Sequence, residues 1–244
     1  MTSDLSQQVA VVTGGSKGYG AGIAEALRRK GAEVWITGRD RAALRQTADK
    51  LDVRAVEADV TRPADWDRLF AEVQKQGNGR LDILVNNAGG GIRIAPVEEQ
   101  TDDEIAASIA VNLTGALLGC RRAAPIMRQQ GSGTIVNVSS VCARQAWPGW
   151  AVYSAAKAGL VQFTNCLYTE LREHGVRVTS LIPSWGATEF SRSAGLPDRD
   201  AETTAKCIQP LELGELVVAV CSLPAHLEIQ DLTLWPSVQE VMPL

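Results

Sequence analysis

Short apolar runs alternate with longer segments of helical periodicity along this chain of 244 residues. Several of the runs are apolar throughout, which is typical of parallel strands covered on both faces. The runs lie at residues 9–13, 33–37, 53–57, 81–86, 133–139, 176–182 and 229–235, and the helical segments lie near 19–30, 41–51, 63–76, 101–130, 152–174 and 211–222. Strands that alternate with helices connect through right-handed crossovers. The pattern therefore predicts an α/β fold, a doubly wound parallel sheet of about seven strands with helices on both faces.

No repeat, low-complexity tract or linker divides the chain, and 45% of its residues are hydrophobic. A chain of this length can bury most of its unfolded surface as one unit. We therefore expect residues 1–244 to form a single domain. The least regular stretch, residues 184–209, combines proline, glycine, serine and charged residues. We interpret this stretch as a mobile lid over a binding site.

Charge and cysteine content argue against several classes of function. A net charge of −4 and a pI near 5.3 provide no electrostatic attraction for nucleic acid or an anionic membrane. The polar N-terminal segment lacks the pattern of a signal peptide, so we expect a cytoplasmic protein. Five widely spaced cysteines without a CxxC pair indicate reduced thiols. Two histidines without neighbouring ligands predict no metal site.

A glycine-rich segment follows the first predicted strand and leads directly into a predicted helix. Glycines let the backbone approach a pyrophosphate, and the N-terminus of the next helix supplies N–H groups. A turn without a ligand is the alternative for any single glycine motif. The position in the first βα unit favours a dinucleotide site, with cofactor contacts predicted from Thr13, Gly14, Ser16, Lys17, Gly18, Tyr19 and Gly20.

The end of the second predicted strand indicates which dinucleotide is bound. Sites that select NAD typically carry an acidic side chain there, which accepts hydrogen bonds from the ribose hydroxyls. This chain has Arg39 instead, which together with Lys17 would bind a 2′-phosphate through charge-assisted hydrogen bonds. Asp40 lies one residue later, where it would cap the next helix. The sequence therefore favours NADP(H) over NAD(H), while a solvated Arg39 is the alternative.

Tyr153 and Lys157 are four residues apart in a predicted helix and therefore share one face. Tyrosine is a poor proton donor near neutrality, because its unperturbed pKa is about 10. A lysine ammonium one turn away is expected to lower that pKa. Ser140, at the end of the fifth predicted strand, would bind the same substrate oxygen. The three residues predict proton transfer at an alcohol or a carbonyl, although a packed aromatic beside a solvated amine has the same spacing.

These motifs together resemble the short-chain dehydrogenase/reductase family over nearly the whole chain. The family's TGxxxGxG pattern, its acidic residue near the adenine, its NNAG signature, its helix-bending asparagine and its Ser-Tyr-Lys set all occur here in order. The matching residues are Thr13, Gly14, Gly18, Gly20, Asp59, Asn86, Asn87, Ala88, Gly89, Asn112, Ser140, Tyr153 and Lys157. The resemblance implies a Rossmann-type NAD(P)-binding domain whose further cofactor contacts include Asp59, Val60, Asn86, Ala88 and Gly89.

The resemblance also implies chemical roles for four residues. Tyr153 would be the general acid in reduction and the general base in oxidation. Lys157 would lower the phenol pKa and hold the nicotinamide ribose, and Ser140 would orient the substrate oxygen. Asn112 would anchor a water that passes protons toward Lys157. A helix-surface amide is the alternative for Asn112, which is otherwise unfavourable within a helix.

The segment after the sixth predicted strand departs from the family pattern. Pro183 and Thr188, both expected to contact the cofactor, match the family, whereas Ser184 replaces its glycine. The loop before Tyr153 lines the substrate pocket in relatives, as does the segment after NNAG. The residues predicted to line the substrate pocket are Arg93, Cys142, Arg144, Trp147, Trp150 and Trp185, with Arg144 toward a carboxylate. Solvated arginines and tryptophans at dimer contacts are the alternatives.

The sequence thus predicts an NADP(H)-dependent oxidoreductase that interconverts a ketone or aldehyde and an alcohol of small-molecule size. The alternative is a catalytically silent nucleotide-binding regulatory or scaffold protein of the same fold. The segments 101–130 and 152–174 resemble the helices of a four-helix dimer interface in relatives, which predicts a homodimer or homotetramer.

Overall fold

A seven-stranded parallel sheet forms the centre of the molecule, in the order β3-β2-β1-β4-β5-β6-β7. The computed structural model describes residues 4–240. The strands are β1 (Val9–Thr13), β2 (Glu33–Gly38), β3 (Arg54–Glu57), β4 (Ile83–Asn86), β5 (Gly133–Val138), β6 (Val176–Pro183) and β7 (Asp231–Leu234). Each predicted apolar run corresponds to one strand, so the predicted doubly wound parallel sheet is confirmed.

Helices connect successive strands. They are α1 (Gly18–Arg29), α2 (Arg41–Leu51), α3 (Pro63–Gln76), α4 (Asp102–Ile109), α5 (Gly115–Gln130), α6 (Ala151–Leu171), α7 (Phe190–Ser193), α8 (Ala201–Ala205) and α9 (Pro210–Cys221). Among residues 4–240, no helix combines the length and apolar character needed to cross a bilayer.

The two faces of the sheet carry separate hydrophobic cores, because alternate residues of a strand point to opposite sides. Val12 and Val85 pack on one face with side chains of α1, α2 and α9. Val11 and Leu84 pack on the other face with side chains of α3, α5 and α6. Covering both faces with helices explains why the central strands are apolar throughout.

The segment predicted as one helix over residues 101–130 is divided into α4 and α5. A π-helical turn, Ala110–Thr114, separates them. Asn112 lies in this turn, and its buried amide donates to the carbonyl oxygen of Ser108 at 3.0 Å and to that of Gly90 at 2.8 Å. A side chain that bonds the backbone in this way favours a local departure from α-helical geometry.

Residues 184–209, predicted to be irregular, contain the two short helices α7 and α8. An isolated β-bridge joins Gly186, near the start of this segment, to Ile208, near its end. We call residues 184–209 the lid segment. It begins where β6 ends and therefore starts at the carboxyl edge of the sheet.

Candidate active site

A cleft of about 750 Å³ lies at the carboxyl ends of the central strands. The chain winds outward from β1 to β3 and then returns to β4 on the other side of β1. The connections on the two sides of β1 therefore diverge and leave a crevice, the usual ligand position in open α/β sheets. One end of the cleft is lined by Arg39 and Asp59, and the other end is lined by aromatic side chains.

The glycine loop between β1 and α1 forms the floor of the cleft near the start of α1. Gly14 and Gly18 have φ angles of +65° and +53°, which favour glycine. A Cβ atom at Gly20 would lie 2.1 Å from the carbonyl oxygen of Gly14, so the loop closes on itself only with glycine there. Gly14, Ser16, Lys17, Gly18 and Tyr19 line the cleft, whereas Gly20 contributes close packing.

Thr13 and Asn87 hold the glycine loop against the segment that follows β4. The Thr13 hydroxyl accepts hydrogen bonds from the backbone N–H groups of Asn87 and Ala88, both at 3.0 Å. The Asn87 side chain donates to the Thr13 carbonyl oxygen at 2.9 Å. Thr13 is buried and does not line the cleft, and its hydroxyl holds the loop in position.

Asn86, which the sequence places at the cofactor, lies instead in the interior. Its side-chain amide donates to Asn137 at 2.8 Å, and Asn137 in turn donates to Thr164 at 2.9 Å. This buried chain of polar side chains joins β4, β5 and α6 beneath the cleft. Ala88 and Gly89, the last residues of the same signature, do line the cleft.

At the far end of the cleft, Arg39 is exposed and free of ion pairs with any residue between 4 and 240. Asp40 accepts hydrogen bonds from the N–H groups of Ala42 and Ala43, at 3.0 and 3.1 Å, as the N-cap of α2. The predicted cap is therefore present, and the Asp40 carboxylate is engaged with its own helix. Asp59 accepts from the backbone and hydroxyl of Thr61 and lines the cleft with Val60.

Ser140, Tyr153 and Lys157 meet in the middle of the cleft. Ser140 directly follows β5, and Tyr153 and Lys157 lie in successive turns at the start of α6. The Lys157 amine is 5.8 Å from the centre of the Tyr153 ring and donates to the Val138 carbonyl oxygen at 2.9 Å. The Ser140 hydroxyl accepts from the N–H group of Cys142 at 3.2 Å. The three residues that the sequence analysis groups therefore lie together in one cleft.

Burial governs the acid–base properties of this group. Burial raises the pKa of Tyr153, and the Ser140 hydroxyl offsets only part of that effect. Burial likewise lowers the pKa of Lys157 to about 8, because a charged ammonium is costly away from water. The sequence predicted a lowered pKa for the Tyr153 phenol. The structure gives the opposite direction, because burial of the phenol is the largest influence on its pKa.

The side chains of Asn112 and Lys157 both lie close to the backbone of Gly89. A Cβ at Gly89 would lie 2.8 Å from Asn112 Oδ1 and 3.2 Å from Lys157 Nζ. Asn112 Oδ1 also accepts from the N–H group of Gly90 at 3.0 Å. The Asn112 amide therefore lies beside the lysine, behind the wall of the cleft and not on its surface.

Aromatic rings form a wall of the cleft beside Tyr153. Trp150 and Phe190 are stacked, with centroids 6.1 Å apart and planes 9° apart. Both rings meet Tyr153 edge to face, at 5.8 and 5.5 Å. Trp147 extends the wall and contacts Trp150 at 6.4 Å. The predicted residues Cys142, Trp147, Trp150 and Trp185 all line the cleft.

Two predicted substrate residues, Arg93 and Arg144, do not line the cleft. Arg144 pairs with Asp231 at 3.0 Å and donates to the hydroxyl of Thr233 at 2.9 Å, both on β7. Arg93 lies within 3.5 Å of Glu104 at the start of α4. Each guanidinium is engaged by a carboxylate of its own chain, so the expected contact of Arg144 with a substrate carboxylate is not supported.

Ser184, which departs from the family glycine, contacts the C-terminal region. Its hydroxyl donates to the Gln239 side-chain oxygen, which also accepts from the N–H group of Trp185 at 3.2 Å. The start of the lid segment is thereby tied to residues beyond β7. Sequence reasoning missed Gln239 because no motif marks it, and it also missed Glu189, Leu196 and Arg199, which line the cleft from the lid segment.

Comparisons with known proteins agree with this geometry. A family model described as short chain dehydrogenase matches residues 8–198. An uncharacterised oxidoreductase of Staphylococcus aureus (strain USA300) is 33% identical over 235 residues, which cover 95% of this chain and 98% of that protein. Another, from Staphylococcus saprophyticus, is 34% identical over 239 residues, 96% of this chain and 99% of that protein.

Solved structures share the fold over nearly the whole chain. The closed form of a serine dehydrogenase complexed with NADP+ has a TM-score of 0.90 and 31% identity, covering 97% of this chain and 98% of that one. An alcohol dehydrogenase from the archaeon Thermococcus sibiricus, complexed with 5-hydroxy-NADP, has a TM-score of 0.86 and 26% identity, covering 97% of this chain and 99% of that one.

Proposed function

Because this chain belongs to the short chain dehydrogenase family, we propose that it is an NADP(H)-dependent oxidoreductase that interconverts a ketone or aldehyde and an alcohol. The observation that carries the proposal is the meeting of Ser140, Tyr153 and Lys157 in the same cleft as the glycine loop. A module that only binds nucleotides has no chemical need for this combination.

The residues at the nucleotide end fit a dinucleotide. The glycine loop would hold the pyrophosphate, since α1 begins at Gly18 and its first N–H groups adjoin the cleft. Arg39 would bind a 2′-phosphate, with help from Lys17, and Asp59 and Val60 would adjoin the adenine. When bound, the cofactor supplies the hydride. The NADP+ and 5-hydroxy-NADP complexes of the similar structures support this choice of dinucleotide.

The side chains of this protein would handle the proton and the orientation of the substrate. Tyr153 keeps its proton near neutrality, because burial raises its pKa, and so would act as the acid when a carbonyl is reduced. Ser140 would bind the carbonyl oxygen beside the phenol and orient it. Lys157 would hold the cofactor ribose and, when charged, stabilise the phenolate left after proton transfer. Asn112 would hold a proton-relay water near Lys157.

The aromatic wall suggests the shape of the substrate. Trp150 and Phe190 flank Tyr153, so a carbonyl at the phenol would place one substituent against their rings. We therefore favour a small carbonyl compound with an apolar substituent. The neighbouring structures named serine dehydrogenase and alcohol dehydrogenase are consistent with oxidation of a hydroxyl group. For assembly, α4, α5 and α6 are the helices that would form a homodimer or homotetramer interface.

The test is a screen of aldehydes and ketones with NADPH, followed by cofactor absorbance, with wild type beside Tyr153→Phe. Tyr168→Phe is the matched control, because Tyr168 lies on the same helix but packs against the core. We expect Tyr153→Phe to retain NADPH binding and to lose at least about 100-fold in kcat. Equal turnover by wild type and Tyr153→Phe would refute the acid role of Tyr153. NADPH binding without turnover of any carbonyl would favour the regulatory or scaffold alternative.

A further inference from the structure

Four basic side chains line the cleft, and three of them have roles in the proposed function. Lys17 and Arg39 lie at the nucleotide end, and Lys157 lies beside Tyr153. The fourth is Arg199, in the lid segment between α7 and α8. Its guanidinium therefore needs a separate explanation.

Trp185 and Ser191 contact the guanidinium of Arg199 and leave some of its N–H groups without a hydrogen-bond partner among residues 4–240. Its guanidinium carbon is 4.4 Å from the centre of the Trp185 ring, and one nitrogen donates weakly to the hydroxyl of Ser191 at 3.4 Å. An arginine stacked on an indole face keeps the N–H groups at its edge available. Arg199 is half-buried, so an anion there would be partly shielded from water.

The carboxylates nearest to Arg199 in sequence are engaged elsewhere. Asp198 pairs with Arg192 at 3.4 Å, and Asp200 caps α8 by accepting from the N–H group and hydroxyl of Thr203. Lys206, a further cation of the lid segment, pairs with Glu202 at 2.7 Å. Within residues 4–240, Arg199 has no carboxylate at ion-pair distance, in contrast to the two other lid cations.

Four carboxylates line the same cleft, those of Asp40, Asp59, Glu189 and Glu240, and none of them is within ion-pair distance of Arg199. Glu189 is paired with Lys17 instead. A cation that is half-buried, held by an indole and open to a cleft is suited to bind an anionic group of a ligand.

We propose that Arg199 binds the carboxylate of the substrate and makes this protein selective for oxo acids and the corresponding hydroxy acids. The inference rests on the proposed function and deepens it. The carbonyl lies at Tyr153, the apolar part of the acid lies against Trp150 and Phe190, and the carboxylate lies at Arg199 and Trp185. The lid segment supplies both Phe190 and Arg199, so it determines substrate choice.

The kinetic test compares oxo acids with their methyl esters, each with NADPH, in wild type, Arg199→Gln and Arg199→Lys. Arg192→Gln is the control, because Arg192 lies in the same lid segment but outside the cleft. We expect Arg199→Gln to raise KM for the acid by about 10- to 100-fold, with little change in kcat or in KM for the ester. Arg199→Lys should recover part of the loss. Equal losses for acid and ester would show a structural role and overturn the inference.

A binding measurement separates this inference from its alternatives. Acid and ester are titrated against the NADP+ complex of Tyr153→Phe, with tryptophan fluorescence as the readout, because Trp185 lies under the guanidinium. Tighter binding of the acid that disappears in Arg199→Gln supports the carboxylate site even if no turnover is found, which would refute only the proposed reaction. A matched loss of NADPH and NADH affinity in Arg199→Gln would identify the cofactor pyrophosphate as the anion and overturn the inference. No difference between acid and ester would also overturn it.

Discussion

Lys17 in the glycine loop forms an ion pair with Glu189 in the lid segment, and both side chains line the cleft. The hydrogen bond from Lys17 is the main reason why the pKa of the Glu189 carboxyl lies below its usual range. Both side chains are more than half exposed, at 64% and 56%, so the pair is weak and sensitive to salt. A phosphate that binds Lys17 must compete with this carboxylate.

Glu189→Gln is therefore expected to strengthen NADPH binding by about two- to fivefold, because it frees Lys17 and removes a negative charge from the cleft. Fluorescence titration of NADPH at low and high salt measures the effect, which should shrink as the salt concentration rises. Glu202→Gln is the control, since Glu202 pairs with Lys206 away from the cleft. Weaker NADPH binding in Glu189→Gln would show that the ion pair supports the bound nucleotide.

Arg39→Ala is expected to weaken NADPH binding by about 10- to 100-fold and to leave NADH binding nearly unchanged. The reason is the loss of charge-assisted hydrogen bonds to the 2′-phosphate, which only NADPH carries. Arg41→Ala is a close control, because Arg41 lies beside Arg39 in sequence but faces Glu57 at 3.9 Å outside this cleft. Comparable losses for both dinucleotides would contradict a 2′-phosphate contact.

The pKa of Lys157, lowered to about 8, predicts how the rate of carbonyl reduction falls on the alkaline side of the pH–rate profile. Lys157 loses its proton as the pH rises through about 8, whereas burial keeps Tyr153 protonated over the same range. We expect kcat/KM for carbonyl reduction to be flat near neutrality and to fall about tenfold per pH unit above about 8. A pH–rate profile with saturating NADPH measures this, and a flat profile to about pH 9.5 would contradict it.

The lowered pKa of Lys157 has opposite effects on activity and on stability as the pH rises above about 8. The unfolded chain binds more protons than the folded one between about 8 and 10.5, since the folded pKa of Lys157 is the lower one. The contribution of Lys157 to stability therefore increases as the pH rises through that window. The melting temperature, measured at the same pH values as the rates, should show no decrease attributable to Lys157 at the pH where the rate begins to fall.

Gly91→Ala is expected to disturb the lid segment without damaging the core. A Cβ at Gly91 would lie 2.6 Å from the Cβ of Ala194 and 2.9 Å from Phe190 Cζ. Displacing Phe190 should raise the substrate KM by about three- to tenfold while the melting temperature changes little. Ala194→Gly in the same chain removes the closest contact and should restore part of the KM. If the double variant kept the raised KM, the contact between residues 91 and 194 would not be the cause of the defect.

Much of the site was readable from sequence because its motifs are local. Tyr153 and Lys157 share a helical face through their spacing alone, and Gly14 and Gly18 adopt the positive φ angles that a tight turn requires. Asn112 was identified, and its side-chain hydrogen bonds explain why the helix departs from α geometry there. The pKa of Tyr153 was predicted in the wrong direction, because desolvation depends on packing that spacing does not reveal.

The sequence by itself determined the alternation of strands and helices, and therefore the sheet, together with the cluster of Ser140, Tyr153 and Lys157 at its carboxyl edge. Only the tertiary structure decided which of two arginines lines the cleft: Arg144 is engaged by Asp231 of β7, while Arg199 lies on Trp185 and lines the cleft. Backbone periodicity and local spacing are encoded within a few residues. The partner of a long, flexible guanidinium depends on elements that are distant in the chain and meet only when it folds.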